Sequence, residues 1–580
     1  MTRSPGYLVL MFAFAASAVL AQAPVPPPIP GAQQPGAPAP ARSAPPRDRT
    51  ATAPATGTAV MRGRVLAANG MPLRRAQVMA FASADTGVPQ RHGTTTDGDG
   101  KWEITDLPAG RYTLSASKAG YVTIQYGQRR PFEQGTPVAV ADAATVDRLD
   151  ITLQRGAVIA GLIVDEFGEP VGQIGVQAMR YSYSNDGQRR LTAVATAPTD
   201  DLGRFRVFGL MPGDYVVQAS VGPAMLGPNS APAPDTFATT FYPGTPNADE
   251  AQTVTLTLGQ ETSVQFQLAS VKTSRVTGVV VNADGVPVAG LQLSLVTSMG
   301  GNGWTAGPAG STGADGTFTI NSVAPGEHTI NARSARSTDG AEFANYVFKA
   351  AGEPLSLRIV TSKGSTLSGR VVWDGNASRG TTSLPVRIQL QQDVAQLMPL
   401  LGGGSVPGAD GTLNEDNTFK LAGTTGKGFV RLFPQPTGWT LKSVTLDGED
   451  VTDIPLDVSS RASFDSLRVV MTDKFTDLTG TVTDSRGMPL KDYVVILLPA
   501  GLKDGVSTRR FISMLRPDQD GSFRTKGMPP GSYTATALEW VEPGRQFVPN
   551  FQEQLRKAGK TFSLRDGEPT TVDVKLTEGL

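Results

Sequence analysis

The sequence predicts an all-β chain: a tandem array of about five seven-stranded β-sandwiches, preceded by an export signal and a proline-rich linker. Three observations carry this. First, an eighteen-residue phrase, "DDLGRFRVFGLMPGDYVV" (200–217), returns as "DGDGKWEITDLPAGRYTL", "GADGTFTINSVAPGEHTI" and "DQDGSFRTKGMPPGSYTA". Second, an apolar–Gly–apolar triplet at alternate positions occurs five times. Third, most repeats close on two short alternating runs joined by a polar turn.

The phrase divides into turn, strand, turn, strand. In Asp200-Asp201-Leu202-Gly203 an acid and a glycine bracket a tight turn, since Asp bonds its own backbone and Gly tolerates positive φ. "RFRVF" alternates like a half-buried strand, Pro212-Gly213 suits a type II turn, and Tyr215, Val216 and Val217 start the next strand. The triplets are Met61/Gly63/Val65, Ile159/Gly161/Ile163, Val276/Gly278/Val280, Leu367/Gly369/Val371 and Leu478/Gly480/Val482. Alternation puts each triplet on one face, where the glycine is expected to make room for a bulky side chain across the core. Gly480→Leu is then expected to cost about 1–3 kcal/mol, and Gly369→Leu less, because the fourth repeat is degenerate. The closing runs, such as Val254, Leu256, Leu258 with Val264, Phe266, Leu268 around "GQET", read as hairpins.

These repeats divide the chain into a signal peptide (1–21), a Pro/Ala-rich disordered linker (22–58) and sandwiches at 59–154, 155–271, 272–362, 363–474 and 475–580. Arg3, the apolar run "YLVLMFAFAASAVLA" and the small-residue site at Val19-Leu20-Ala21 form the signal. The run is short for a membrane span, and no later segment offers one, so the exported chain is expected in the periplasm, on the outer surface or secreted. Lysine plus arginine and aspartate plus glutamate balance at 52 each, which removes the global field that recruits nucleic acid. Cysteine is absent, excluding disulfides and a lipidated cysteine. The joints between repeats, "QRGAV", "ASVKTSR" and "TDKFTD", are too short for loose tethers, so a semi-rigid, elongated or gently curved row is expected.

"GLIVDEFGEPV" followed by "TDDLGRFRVFGLMPGDYVV" resembles the carboxypeptidase regulatory-like domain, a transthyretin-like sandwich also grouped with carbohydrate-binding-like folds. The resemblance runs from Ala59 to Leu576, closest in the first, second and fifth repeats and weakest in the fourth. It implies an accessory module without catalysis of its own, of the kind carried by zinc carboxypeptidases, exported multidomain proteins and outer-membrane receptors.

The chemistry-bearing residues agree with that. The two histidines, His92 in the loop "PQRHGTTT" and His328, supply no zinc constellation; His328 takes the slot of Tyr112, Tyr215 and Tyr533 and reads as a packing substitution. No Gly-x-Ser-x-Gly elbow, cysteine nucleophile or phosphate loop is present. Asp97 and Asp99 in "TDGDGKW" have some flavour of a calcium loop but lack its remaining oxygen ligands, so a hairpin turn is the better reading. The first strands lack the lysine that an intramolecular Lys–Asn crosslink would need. No catalytic residue, metal or cofactor is therefore expected. Sugar faces stack on exposed rings, and Trp304, Tyr181, Tyr183, Tyr126 and Tyr242, in or beside polar loops, are the candidates for this; Trp102 sits in a phenylalanine slot and reads as core. The expected function is non-catalytic binding of a glycan or another cell-envelope component. A structural spacer or protein-docking scaffold is the alternative, and an unrecognised hydrolase a weaker one.

Overall fold

The computed structural model describes residues 57–82, 91–184, 187–221, 235–299, 303–335, 340–377, 387–392, 410–433, 435–501 and 505–580. The expected signal and nearly all of the linker lie outside these residues. What is described is tandem β-sandwiches, with five principal cores in chain order: around Met61, Ile159, Val276, Leu367 and Leu478.

The second sandwich shows the plan. Strand Ala157–Val164 is central to one sheet, antiparallel to Arg204–Leu210 on one side and parallel to Glu261–Gln267 on the other. Strand Ile174–Tyr183 is central to the facing sheet, between Arg189–Pro198 and Gly213–Val221. Inward residues of both sheets, among them Ile159, Val176, Phe205 and Val217, are almost fully buried. In the second and fifth repeats the turn is tied by its first acid: Asp200 Oδ1 accepts from Leu202 N–H and Arg204 N–H, as Asp518 does from Asp520 and Ser522. Asp97 is used the same way, by Asp99 N–H and Lys101 N–H, so this oxygen caps a turn.

Two expectations change. The closing runs are not hairpins: Val254–Leu256 joins the sheet of Gly213–Val221, while Glu261–Gln267 crosses to the other sheet and pairs in parallel. Leu258, expected to face inward, is exposed at the crossing. Alternation reports a buried face, and both inner faces of a sandwich bury alike, so the pattern does not say which sheet a strand enters. The triplet glycine answers a different neighbour from the one expected. A Cβ on Gly161 would lie 1.9 Å from Val264 O, and on Gly63, Gly278, Gly369 and Gly480 between 2.0 and 2.3 Å from the carbonyls of Leu149, Leu357, Leu467 and Val572, in the closing segment that runs parallel to the first strand. Beside each glycine, on the adjacent strand of the same sheet, stands a buried aromatic: Trp102, Phe205, Phe318, Phe419 or Phe523. The glycine thus admits a backbone and a ring within its own sheet, not a side chain across the core.

The tyrosine slots form a repeated corner. Tyr112, Tyr215 and Tyr533 each donate their hydroxyl, at 2.7 Å, to the carbonyl four residues earlier. His328 repeats the bond through Nε2, 2.8 Å from Ala324 O. The fourth sandwich has Gly428 two residues before buried Val430, and so no ring for that corner. Its first sheet is instead extended by strand Thr440–Leu446 and its partner Glu449–Asp450, and Trp373 meets Trp439 edge-to-face at 4.8 Å. The fifth sandwich adds the helix Pro549–Ala558, started by proline. Phe551 and Leu555 cover Val494, Ile496 and Leu498, which is why strand Val494–Pro499 is buried on both faces.

Candidate functional site

Two of the joints are fastened by side-chain contacts as well as by the connecting strand. Between the first and second, Gly156 N–H donates to Gly120 O at 3.3 Å and the Arg155 guanidinium lies over the Tyr121 ring. Between the fourth and fifth, Asp453 is buried between Arg431 (3.1 Å) and Arg510 (2.9 Å), and burial drops the Arg431 pKa to about 10. Ser507 N–H adds a 2.7 Å bond to Asp453 O.

The expected open row is nevertheless not found, because the fifth sandwich is seated on the first and second. The seat is the segment 125–139. Glu133 is buried there, its Oε2 accepting from the N–H groups of Arg129 and Arg130 at 3.0 Å each. Its Oε1 accepts from Arg516 Nη1 of the fifth sandwich at 2.8 Å, with both side chains at most 3% exposed. The second terminal nitrogen of Arg516 reaches Asp492 Oδ1 at 3.1 Å. Around this pair Arg129 meets Asp492 at 2.8 Å, Arg130 meets Glu539, and Arg111 donates to Arg524 O at 2.9 Å. Gln519 bonds the backbone of Ala139 with both ends of its amide, at 3.0 Å each.

Arg180 of the second sandwich completes the junction. Its guanidinium carbon lies 3.6 Å from the centroid of Phe132, and Nη2 is 3.4 Å from Glu542 of the fifth. Burial lowers the Arg180 pKa, opposed by Glu542 and Tyr215, and burial raises Tyr215 to about 12. One short segment of the first sandwich therefore engages both others. A buried ion pair recovers little net energy after desolvation, but losing one member strands the other, so the junction discriminates strongly between correct and incorrect partners. No repeat signal marks it: Arg129, Arg130 and Glu133 belong to the first copy alone, and Arg516 lies 383 positions from its partner.

The stacking candidates are distributed. Tyr126 packs against the first core, its carbonyl accepting from Thr136 N–H at 2.7 Å. Tyr242 packs against the second, edge-to-face with Phe266 at 6.0 Å. Tyr181 and Tyr183 share one face of strand Ile174–Tyr183, with Arg189 over the Tyr181 ring at 4.7 Å. Gly544 of the fifth sandwich closes on Tyr183, where a Cβ would meet the tyrosine carbonyl at 2.3 Å. Trp304 lies on strand Gly303–Ser311, its backbone paired with Ser298; its side chain is outside the described residues.

His92, expected in a loop, lies on strand Arg91–Thr95, opposite Ala80 and edge-to-face with Tyr112; burial lowers its pKa. The sparse "RHGTT" carries no apolar alternation to announce a strand. His328 is buried, with Nδ1 3.0 Å from Thr297 Oγ1 and the ring stacked on Phe348. A carbonyl at Nε2 requires a proton there, so the neutral ring donates to Ala324 and accepts from Thr297. Among the described residues no group of three or more His, Asp or Glu side chains is placed to hold a metal ion, and no helix is long and apolar enough to cross a membrane.

A sandwich built on a glycine-opened first strand, a paired aromatic and a tyrosine corner is the pattern of the first repeat. Residues 60–154 match the carboxypeptidase regulatory-like domain family. The match spans the first of the five repeats. No curated protein matches the chain. Solved structures match parts of it: the Bacillus anthracis TIE protein at 14% identity, covering 53% of this chain and 51% of that one, with a TM-score of 0.15. The streptococcal ancillary pilin is 12% identical over 52% of this chain and 98% of its own, with a TM-score of 0.19. GBS52, the minor pilin of Streptococcus agalactiae, is 15% identical over 37% and 98%, with a TM-score of 0.20. The chain spans about half the length of the Bacillus anthracis protein.

Proposed function

We propose that the chain is an exported, non-catalytic scaffold of the cell envelope, whose sandwiches are held in a defined arrangement to dock other envelope components. The observation that carries this reading is the buried Arg516–Glu133 pair joining the fifth sandwich to the first. The side chains with the strongest chemistry, buried arginines and carboxylates, are spent on joining sandwiches together. The arginine and apolar run at the start of the sequence support export. Chemical crosslinking of the native envelope, followed by identification of the crosslinked proteins, tests the reading. Reproducible capture of envelope proteins, lost when the junction is opened by Glu133→Ala, is the expected result. A chain that crosslinks to nothing overturns it.

Glycan binding is the second reading, favoured by Tyr181 and Tyr183 standing two residues apart on one strand face. Binding on a glycan array that Tyr181→Ala or Trp304→Ala abolishes without loss of stability would establish it.

A further inference from the structure

The junction is a lock and key carried on one chain. The seat offers Arg111, Arg129 and Arg130 around a central Glu133, while the fifth sandwich offers Asp492 and Glu539 around a central Arg516. The two surfaces are opposite in charge at the rim and opposite again at the centre. Such a charged, hydrogen-bonded contact has the character of an interface between separable partners rather than of a domain core. Gln519, bonding both the N–H and the carbonyl of Ala139, adds recognition of backbone position.

Among the described residues, the joint between the third and fourth sandwiches offers a place to bend. Between the third and fourth sandwiches, Glu342 and Phe343 pair with Lys363 and Ser362, and Gly364 N–H donates to Ala341 O at 3.1 Å. These contacts sit at the connecting strand itself. The fourth and fifth sandwiches, by contrast, are fastened by the buried Asp453 with its two arginines, and the first and second by the 154–156 segment and Phe132–Arg180. Rotation about 361–365 would carry the fourth and fifth sandwiches together out of the seat with their own joint intact.

We propose that the fifth sandwich exchanges between copies, leaving its own seat to fill the seat of a second copy of this chain. The same residues that close the junction within one chain then join two chains, reciprocally or head to tail. Closure within a chain is favoured by effective concentration, so exchange grows with protein concentration and with any condition that weakens the rim charges. The inference rests on the scaffold reading only in treating the junction as a docking element.

Charge reversal on the full chain tests it. Glu133→Arg alone sets the new arginine against Arg516, and Arg516→Glu alone sets the new carboxylate against Glu133 and Asp492. In an equimolar mixture each new charge meets its opposite only across two different chains. Light scattering is expected to show each variant alone as a monomer and the mixture as a 1:1 complex of at least twice that mass. The wild type gives an independent reading. Two batches, each labelled at one introduced cysteine (the sequence has none), are mixed and passed through about 1 M salt, which shortens the screening length to about 3 Å. Energy transfer between batches is expected to appear after salt is removed and to rise with concentration. Association in either experiment supports exchange. Monomeric mixtures together with no transfer at any concentration overturn it. The crosslinking result for envelope partners is unaffected by either outcome, so the two readings fail separately.

Discussion

In the fifth sandwich Gly480 stands beside Phe523 and under the carbonyl of Val572; in the fourth, Gly369 stands beside Phe419 and under that of Leu467. Almost everything else about the two differs. The fifth keeps the Pro-Gly turn and its tyrosine corner, whereas the fourth has Gly428 at the tyrosine's register and two packed tryptophans. The fourth also grows an extra strand pair on its first sheet. Side-chain arrangements are interchangeable because another ring or another strand can fill the volume. A strand whose carbonyl occupies the space of a Cβ has no such substitute, so this glycine persists where the surrounding phrase has decayed.

The strongest way to break this comparison is to fill both glycines. With the Cβ itself 2.0 Å from a backbone oxygen in each case, Gly480→Leu and Gly369→Leu are both expected to cost more than about 3 kcal/mol. The degenerate repeat gains no exemption, contrary to the milder cost its sequence suggests. Urea unfolding with hydrogen exchange resolved by sandwich is the measurement. A fourth sandwich still protected like wild type after Gly369→Leu would show that the strands separate at little cost.

Removing the corner bond probes what the fourth sandwich has done without. Tyr533→Phe leaves Pro529 O without its 2.7 Å donor in a buried setting, for an expected loss of about 1–3 kcal/mol. Unchanged thermal unfolding would mean that the ring's packing alone defines the corner. In the fourth sandwich the corresponding device is the tryptophan pair. Trp373→Leu removes the edge-to-face contact and the 2.9 Å bond from Nε1 to Asn417 Oδ1, with an expected loss of about 1 kcal/mol beyond lost burial. Should Trp373→Leu cost as much as the glycine variant, the division between backbone and side-chain constraints would fail.

The smallest effect belongs to the third sandwich, where histidine replaces the corner tyrosine. Burial holds the His328 pKa below its ordinary value of 6.5, so the neutral form belongs to the folded state. Below pH 6.5 the unfolded chain binds more protons than the folded one. The stability contributed by neutral His328 is therefore complete above pH 6.5 and is lost as pH falls toward the depressed folded value. His328→Tyr is expected to remove that part of the pH dependence while keeping the corner. Identical pH profiles for the two chains between pH 5 and 7 would refute the neutral-ring assignment.

How far the sequence leads depends on whether a constraint is local. The turn acids and the corner tyrosines bond within four residues along the chain, and each triplet lies within one strand, so repetition makes them readable. Phe205 beside Gly161 is foreseeable as two buried positions but not as neighbours, because register between strands forty residues apart leaves no periodic trace. Parallel pairing of the last strand escapes for the same reason. The junction escapes altogether: "QYGQRRPFEQGTP" and "MLRPDQD" look like ordinary polar loops until the fold brings Glu133 to Arg516.

That contact also sets how the chain would carry a load. Tension applied between the first sandwich and the fifth has two routes, one through three intervening modules and one directly across the Glu133–Arg516 junction. The direct route is shorter and bears the pull first, leaving the third and fourth sandwiches slack between its ends. Only when the junction parts does the force reach them, and the chain then lengthens by the slack they held. The molecule behaves as a folded strap with a breakable stitch.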